Sequence, residues 1–274
     1  MSELKKILFV RSGGGLPGLD IHAGIWRALQ LAGIEATHCS GTSAGAIVSA
    51  FDTSSLIGAL GFANLIEGLR DDDVRAERWL WKLRVPFIGN YLENYKIQAL
   101  LHTWICADFP TVKQLQCWSV NSADGSVQNV ARPELAEGPA VAALASMSIC
   151  GVFPPVRLLD GNDYFDGGPA ANLPLPPVLA DFDEVWLLVA TGRRGTYQRD
   201  ESMLTRLIHN VHWMMDDQIQ DAIALARKLN ANVRVIWPDL PTPGGALHFD
   251  HALIDQAYNW TREYLGSFEE KETP

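Results

Sequence analysis

Cysteine is scarce in this sequence: among 274 residues only Cys39, Cys106, Cys117 and Cys150 occur, and they lie far apart. No C-x-x-C spacing pre-arranges a metal site or a redox pair, so these thiols are expected to be small buried apolar residues in a reducing compartment. Long hydrophobic runs are missing too. No apolar stretch approaches the roughly 18 residues that a membrane-spanning helix requires. At the N-terminus, Lys5-Lys6 passes straight into the short run Ile7-Leu8-Phe9-Val10, too brief for a signal-peptide core. These absences point to a cytoplasmic protein, able at most to touch a membrane from its surface. Basic charge is also in deficit: 22 Lys and Arg face 32 Asp and Glu, a formal net charge of −10. That balance repels phosphate backbones and anionic head groups over long range and excludes nucleic acid as a natural partner. Low-complexity linkers and internal repeats are absent, and nothing in the sequence reveals an oligomeric state.

What is present is an ordinary globular composition, 47% hydrophobic and 20% charged. A chain of this size buries roughly three quarters of its unfolded surface, so one domain spanning 1–274 needs no staples. Ile7 to Val10 suits a strand buried on both faces, ended by Ser12-Gly13-Gly14-Gly15. Leu19 to Ala32 carries apolar residues at Ile21, Ile25, Ala28, Leu29 and Ala32, a helical spacing that Gly33 stops. A second strand, Ala36 to Cys39, runs into Gly41-Thr42-Ser43-Ala44-Gly45 and a small-residue helix from Ala46. Further strands are expected near Trp118-Ser119-Val120, Val185 to Val189 and Val233 to Ile236. Amphipathic helices are expected at Leu204 to Leu229 and His251 to Leu265. Such alternation predicts an α/β fold with a mostly parallel central sheet flanked by helices. It is interrupted at about 52–110 by helical text rich in Trp79, Trp81, Phe87, Tyr91, Tyr95 and Trp104. This segment is read as a helical insertion packed on the sheet, and Asp71-Asp72-Asp73 within it as a solvated helix end.

Two glycine patterns carry chemistry. Gly41-Thr42-Ser43-Ala44-Gly45 fits G-x-S-x-G, where Gly41 and Gly45 permit a strained strand-to-helix elbow that lifts the serine oxygen clear of the backbone. Ser43 would then stand at a helix N-terminus, where the dipole stabilises developing negative charge. Gly13-Gly14-Gly15-Leu16-Pro17-Gly18 satisfies G-x-G-x-x-G, the spacing of a dinucleotide loop. A ribose-binding acid should end the next strand, yet that strand ends in His38-Cys39-Ser40, and Glu35 falls before it. Exposed N–H groups of Gly13, Gly14, Gly15 and Gly18 can instead form an oxyanion hole beside the serine, since adjacent parallel strands end side by side.

A third element, Asp166-Gly167-Gly168, is by itself a turn signal. Together, G-x-S-x-G, the glycine loop upstream and Asp-Gly-Gly downstream resemble the patatin-like phospholipase family of lipid acyl hydrolases. The resemblance continues through Ala145-Ser146-Met147-Ser148-Ile149-Cys150-Gly151-Val152-Phe153-Pro154-Pro155 and through Pro169-Ala170-Ala171-Asn172-Leu173-Pro174 after the aspartate. Weaker likeness extends over Tyr95 to Leu101 and the final helix. It implies a three-layer sandwich, a lipid or acyl-ester substrate, no cofactor and no metal, and a Ser–Asp dyad in which Asp166 takes the proton of Ser43 directly. An acyl-enzyme would form and be hydrolysed by water, with Asp166 again as base.

One departure stands out. The family usually carries lysine or arginine in the glycine motif where this chain has Pro17, which removes a natural partner for a lipid phosphate. Arg11 and Arg157 are candidates to replace it, each otherwise read as a surface arginine. Two alternatives stay open: an α/β-hydrolase triad drawing on His209, His212, His248 or His251, and a non-catalytic nucleotide- or lipid-binding module. The early position of Ser43, after one strand and one helix, argues against the first.

Overall fold

The computed structural model describes residues 5–74, 76–77, 92–93, 95–191, 203–242 and 247–272, with side chains described over 5–73, 95–191, 214–242 and 247–267. Trp79, Trp81, Phe87 and Tyr91 of the aromatic-rich segment lie outside these residues.

The chain opens with β1 (Ile7–Arg11), α1 (Gly15–Leu31), β2 (His38–Gly41) and α2 (Ala44–Ser54). Between 52 and 110 the described residues form α3 (Ala59–Glu67), α4 (Asp71–Val74), a small ribbon of β3 (Ala76–Glu77) and β4 (Leu92–Glu93), and α5 (Tyr95–Trp104). Then come β5 (Gln114–Asn121), β6 (Val127–Asn129), α6 (Pro139–Met147), β7 (Val156–Arg157) and β8 (Asp163–Asp166). The last elements are β9 (Glu184–Leu188), α7 (Met203–Leu229), β10 (Val233–Ile236) and α8 (Ala252–Glu272). The main sheet runs β10-β9-β1-β2-β5-β8-β7, with β6 paired to β5. From β10 to β5 the pairing is parallel; β6, β7 and β8 join antiparallel. Expected strands and helices are thus present, in a mostly parallel sheet with helices on both faces.

Alternation along β1 shows why. Leu8 and Val10 face Ile219, Ile223 and Ala226 of α7, whereas Phe9 faces Ile21, Ile25 and Leu29 of α1 and Leu253 and Ala257 of α8. Ile21, Ile25 and Leu29 are fully buried, and each such side chain contributes about 1.5–3 kcal/mol by leaving water. Helices α1 and α8 cross at Gly24, where a Cβ would stand 2.2 Å from the Ile254 carbonyl oxygen. Among the described residues no helix is long and apolar enough to cross a membrane.

Several expectations need correction. Helix α1 begins at Gly15 rather than Leu19, so Gly15-Leu16-Pro17-Gly18 is its first turn and not a loop. Pro17 fits there because N–H groups in a first turn have no intrahelical partner to lose. Helix α2 starts at Ala44, directly after the serine. Cys39 and Cys117 are buried, but Cys106 and Cys150 are exposed. Asp71 is more than a solvated helix end: its carboxylate accepts bonds from the Phe249 N–H at 2.9 Å and from His248 Nδ1 at 2.8 Å.

Arg11 is no surface residue. It is fully buried, with its guanidinium 2.6 Å from Asp52 of α2 and stacked over Phe9 and Trp26. Lys113 adds a second contact to Asp52 at 3.0 Å. Burial pushes the Asp52 carboxyl up, but the two cations outweigh that and hold it below the ordinary carboxylate range. Removing one partner of a buried pair strands the other charge. Asp52→Ala is therefore expected to lower stability by about 3–5 kcal/mol in urea denaturation, whereas Asp52→Leu combined with Arg11→Met should lose much less.

Candidate active site

Strands β1 and β2 run parallel in register, Val10 beside Ser40 and Arg11 beside Gly41, so both end at the same edge. The elbow after β2 is tight. A Cβ on Gly41 would lie 2.3 Å from the Gly45 carbonyl, and one on Gly45 2.4 Å from the Arg11 carbonyl, so backbone occupies the space of side chains. Ser43 sits at φ 54° and ψ −124°, the single described non-glycine residue with positive φ. Such a conformation costs of order 1–3 kcal/mol and persists only where surroundings enforce it. Here the enforcement is visible: the Ser43 N–H donates to Ser146 Oγ at 3.1 Å, and that hydroxyl donates to the Trp118 carbonyl at 2.6 Å.

Asp166 ends β8, opposite Ser119 of β5, and its own N–H donates to the Ser148 carbonyl at 3.0 Å. Its Oδ1 accepts the Gly168 N–H at 2.6 Å, and the nearby Ser43 hydroxyl favours the charged form of the same carboxylate. Burial pushes this carboxyl up to about 6, against the opposing pull of the Gly168 and Ser43 donors. It stays largely ionised at neutral pH while being a better proton acceptor than a free aspartate. Gly167 packs its Cα against β5, where a Cβ would lie 2.4 Å from the Trp118 carbonyl.

The four glycines expected as oxyanion donors divide. The Gly13 N–H is committed to Asn172, 3.0 Å from its Oδ1, and the Gly18 N–H to the Gly14 carbonyl at 3.0 Å. These two are occupied because Asn172 backs the turn and helix geometry claims the fourth residue. Gly14 and Gly15 keep N–H groups without a protein acceptor among the described residues, as does Ala44 at the start of α2. Gly15, Ser43 and Ala44 line one open cavity, whose remaining walls among the described residues are Leu16, Leu19, Ile47, Ile97, Met147, Ile149, Phe153 and Leu247. An apolar chamber thus opens beside a serine hydroxyl and two helix N-termini.

No described histidine side chain bonds to Ser43 or Asp166. His22 is buried on the Ser12 carbonyl, and burial depresses it to about 3, so it is neutral. His248 pairs with Asp71, and His251 with Asp20 and the Leu69 carbonyl. The side chains of His209 and His212 lie outside the described residues. Arg157 is exposed and paired with Asp163, and among the described residues no cation lines the cavity. Sequence reasoning missed Ser146 and Ala44, and it gave Asn172 no task; Ser146 and Asn172 lie in segments it had singled out, but their partners are remote in sequence.

A family model described as patatin-like phospholipase matches residues 9–179, more than half of the chain and a span that holds every residue discussed as part of the dyad and its turns. Among solved structures, the chain is similar to VipD from Legionella pneumophila at 17% identity and a TM-score of 0.53, covering 97% of this chain and 67% of VipD. It is also similar to the type III effector protein ExoU at 18% identity and a TM-score of 0.39, covering 97% of this chain and 53% of ExoU. The first likeness is one of fold alone, and the second is too loose to argue from. No curated protein matches.

The Asp166 environment has a stability signature. Its folded pKa near 6 lies above the free value of 3.8, so the folded state binds the proton more tightly. Its stabilising contribution is full below about pH 4 and is lost as pH rises through about 6, to the order of 3 kcal/mol. Asp166→Asn should accordingly unfold at higher denaturant than the unmodified protein near pH 8, with the gap closing near pH 4. A gap independent of pH would contradict the burial of this charge.

Proposed function

The chain belongs to the patatin-like phospholipase family of lipid acyl hydrolases, and on that premise we propose that it cleaves acyl esters by a Ser43–Asp166 dyad through an acyl-enzyme. The observation that carries the reading is a strained serine at the edge of an apolar cavity, its hydroxyl near enough to the buried Asp166 carboxylate to favour its charged form. Asp166 accepts the serine proton as Oγ attacks the ester carbonyl. The negative oxygen of the tetrahedral intermediate is held by the free N–H groups of Gly14, Gly15 and Ala44, at the N-termini of α1 and α2, where backbone dipoles add to the stabilisation. Protonated Asp166 gives its proton to the leaving alkoxide, and the acyl group remains on Ser43. Water then attacks the acyl carbon as Asp166 takes its proton, and Asp166 returns that proton to Ser43 Oγ as the bond to the serine breaks and the carboxylic acid leaves.

The cavity points to substrate. Its walls are aliphatic and aromatic, fit for an acyl chain. Pro17 occupies the position of the family's cation, Arg11 is consumed by Asp52, and Arg157 by Asp163. Short neutral esters are the proposed preference, ahead of phospholipids. The proposed compartment is the cytoplasm, with lipid reached from the membrane surface.

Ser43→Ala and Asp166→Asn are each expected to cut p-nitrophenyl butyrate turnover by about 10³-fold or more with the fold intact. Single replacement of His38, His102, His209, His212, His248 or His251 should spare most activity. A folded histidine variant as inactive as Ser43→Ala, beside an active Asp166→Asn, would move the protein to the triad class. The acid limb of kcat/KM should fall near pH 6, because the base must be ionised. Across an ester panel, butyrate should be hydrolysed at least as well as palmitate and diacyl phosphatidylcholine, and EDTA should leave turnover unchanged. A strong preference for phosphatidylcholine would overturn the substrate reading without touching the dyad.

A further inference from the structure

The glycine turn is held from behind, one peptide at a time. In the Ser12–Gly13 peptide, the Ser12 carbonyl accepts a bond from His22 Nε2 at 2.8 Å. The N–H of the same peptide is shared between Asn172 Oδ1 at 3.0 Å and the Asn172 main-chain carbonyl at 3.2 Å. In the next peptide, the Gly13 carbonyl accepts from Ser12 Oγ at 2.8 Å, and that oxygen accepts from the Ala190 N–H at 2.9 Å. A trans peptide plane directs its N–H opposite to its C=O. Anchoring both sides of the first plane and the carbonyl of the second therefore sets the direction of the Gly14 N–H.

Asn172 joins this turn to the aspartate. A Cβ on Gly13 would lie 2.6 Å from Asn172 Oδ1 and 3.2 Å from Ser43 Cβ. A Cβ on Gly168 would lie 3.0 Å from Asp166 Oδ1 and 3.5 Å from Asn172 Oδ1. The asparagine is fully buried, and its Nδ2 has no hydrogen-bond partner among the described residues. Its position is fixed from α7, where Gln218 accepts the Asn172 N–H at 3.3 Å and donates to the Pro169 carbonyl at 2.9 Å. A carboxylate at position 172 would also accept the Gly13 N–H, but it would put a second negative charge against Asp166.

We propose that Asn172 is a positioning residue for acyl transfer: its side-chain carbonyl anchors Gly13 so that Gly14 and Gly15 keep their N–H groups for the oxyanion, and its uncharged amide leaves Asp166 free to ionise. The inference rests on the acyl-hydrolase reading above. It assigns to one buried amide the job of keeping oxyanion turn and base in fixed relation.

The test compares Asn172→Ala and Asn172→Asp with the unmodified protein, using p-nitrophenyl butyrate, an alkyl trifluoromethyl ketone whose serine adduct copies the tetrahedral oxyanion, and amide hydrogen exchange at Gly13. For Asn172→Ala, kcat should fall about 10- to 100-fold with KM nearly unchanged, ketone affinity should fall in parallel, and the Gly13 amide should exchange faster. For Asn172→Asp, Gly13 should remain protected while the acid limb of kcat/KM moves up by about one pH unit or more, since a like charge disfavours ionisation of Asp166. An Asn172→Ala enzyme with unchanged kcat, or with only KM raised, would overturn the proposal. Should that variant fail to fold, an unmoved acid limb in Asn172→Asp would overturn it equally. If the unmodified protein shows no Ser43-dependent turnover, the acyl-hydrolase reading is what fails, and the exchange measurement still judges the anchor: a Gly13 amide unprotected in the unmodified protein, or unaffected by Asn172→Ala, sinks it.

Discussion

Where β1 and β2 end side by side, the backbone turns twice within van der Waals reach of itself, and a Cβ on Gly45 would stand 2.4 Å from the Arg11 carbonyl. That close approach is the constraint on which the site depends. It requires glycine at positions 41 and 45, drives Ser43 into positive φ and aims two helix N-termini at one cavity. The contact is held by parallel pairing of the two strands and by the Thr42 N–H, which donates to the Arg11 carbonyl at 3.3 Å. Residue 11 therefore serves twice: its main chain receives the elbow, and its side chain ties β1 to α2 through Asp52.

Unfavourable local states gather in this small region. Ser43 is strained, Asp166 keeps a carboxylate out of water, and Asn172 leaves a buried amide nitrogen without a partner among the described residues. Each is disfavoured by itself, and together they are offset by well-packed clusters on both sheet faces. A fold optimised for stability alone would relax all three. Their coincidence around one serine hydroxyl supports the dyad proposed for this site, since such local departures from stability gather where residues are arranged for reaction.

The buried supports reach the site from distant parts of the chain. Ser146 comes from the end of α6, Asn172 from the turn after β8, and Gln218 from α7, and each meets backbone that a short-range pattern could not assign to it. Of the four glycines read as oxyanion donors, two have their N–H groups already engaged, a distinction that depends on Asn172 and on where α1 begins.

The sequence by itself determined the strand-turn-helix order around Ser43, the α/β alternation, the glycines at the elbow and the Asp-Gly-Gly turn, because periodicity, turn chemistry and steric demand act between near neighbours. It also contained the mostly parallel sheet, since runs such as Ile7 to Val10 are apolar on both faces. Only the tertiary structure decided that Ser43 and a buried Asp166 stand near each other, that Arg11 is buried with Asp52 instead of standing at the surface, and that Cys106 and Cys150 face solvent. The reason is that burial, proton affinity and the freedom of an N–H group are sums over every segment that packs against a residue. Those segments come together only when the chain has closed its long-range contacts.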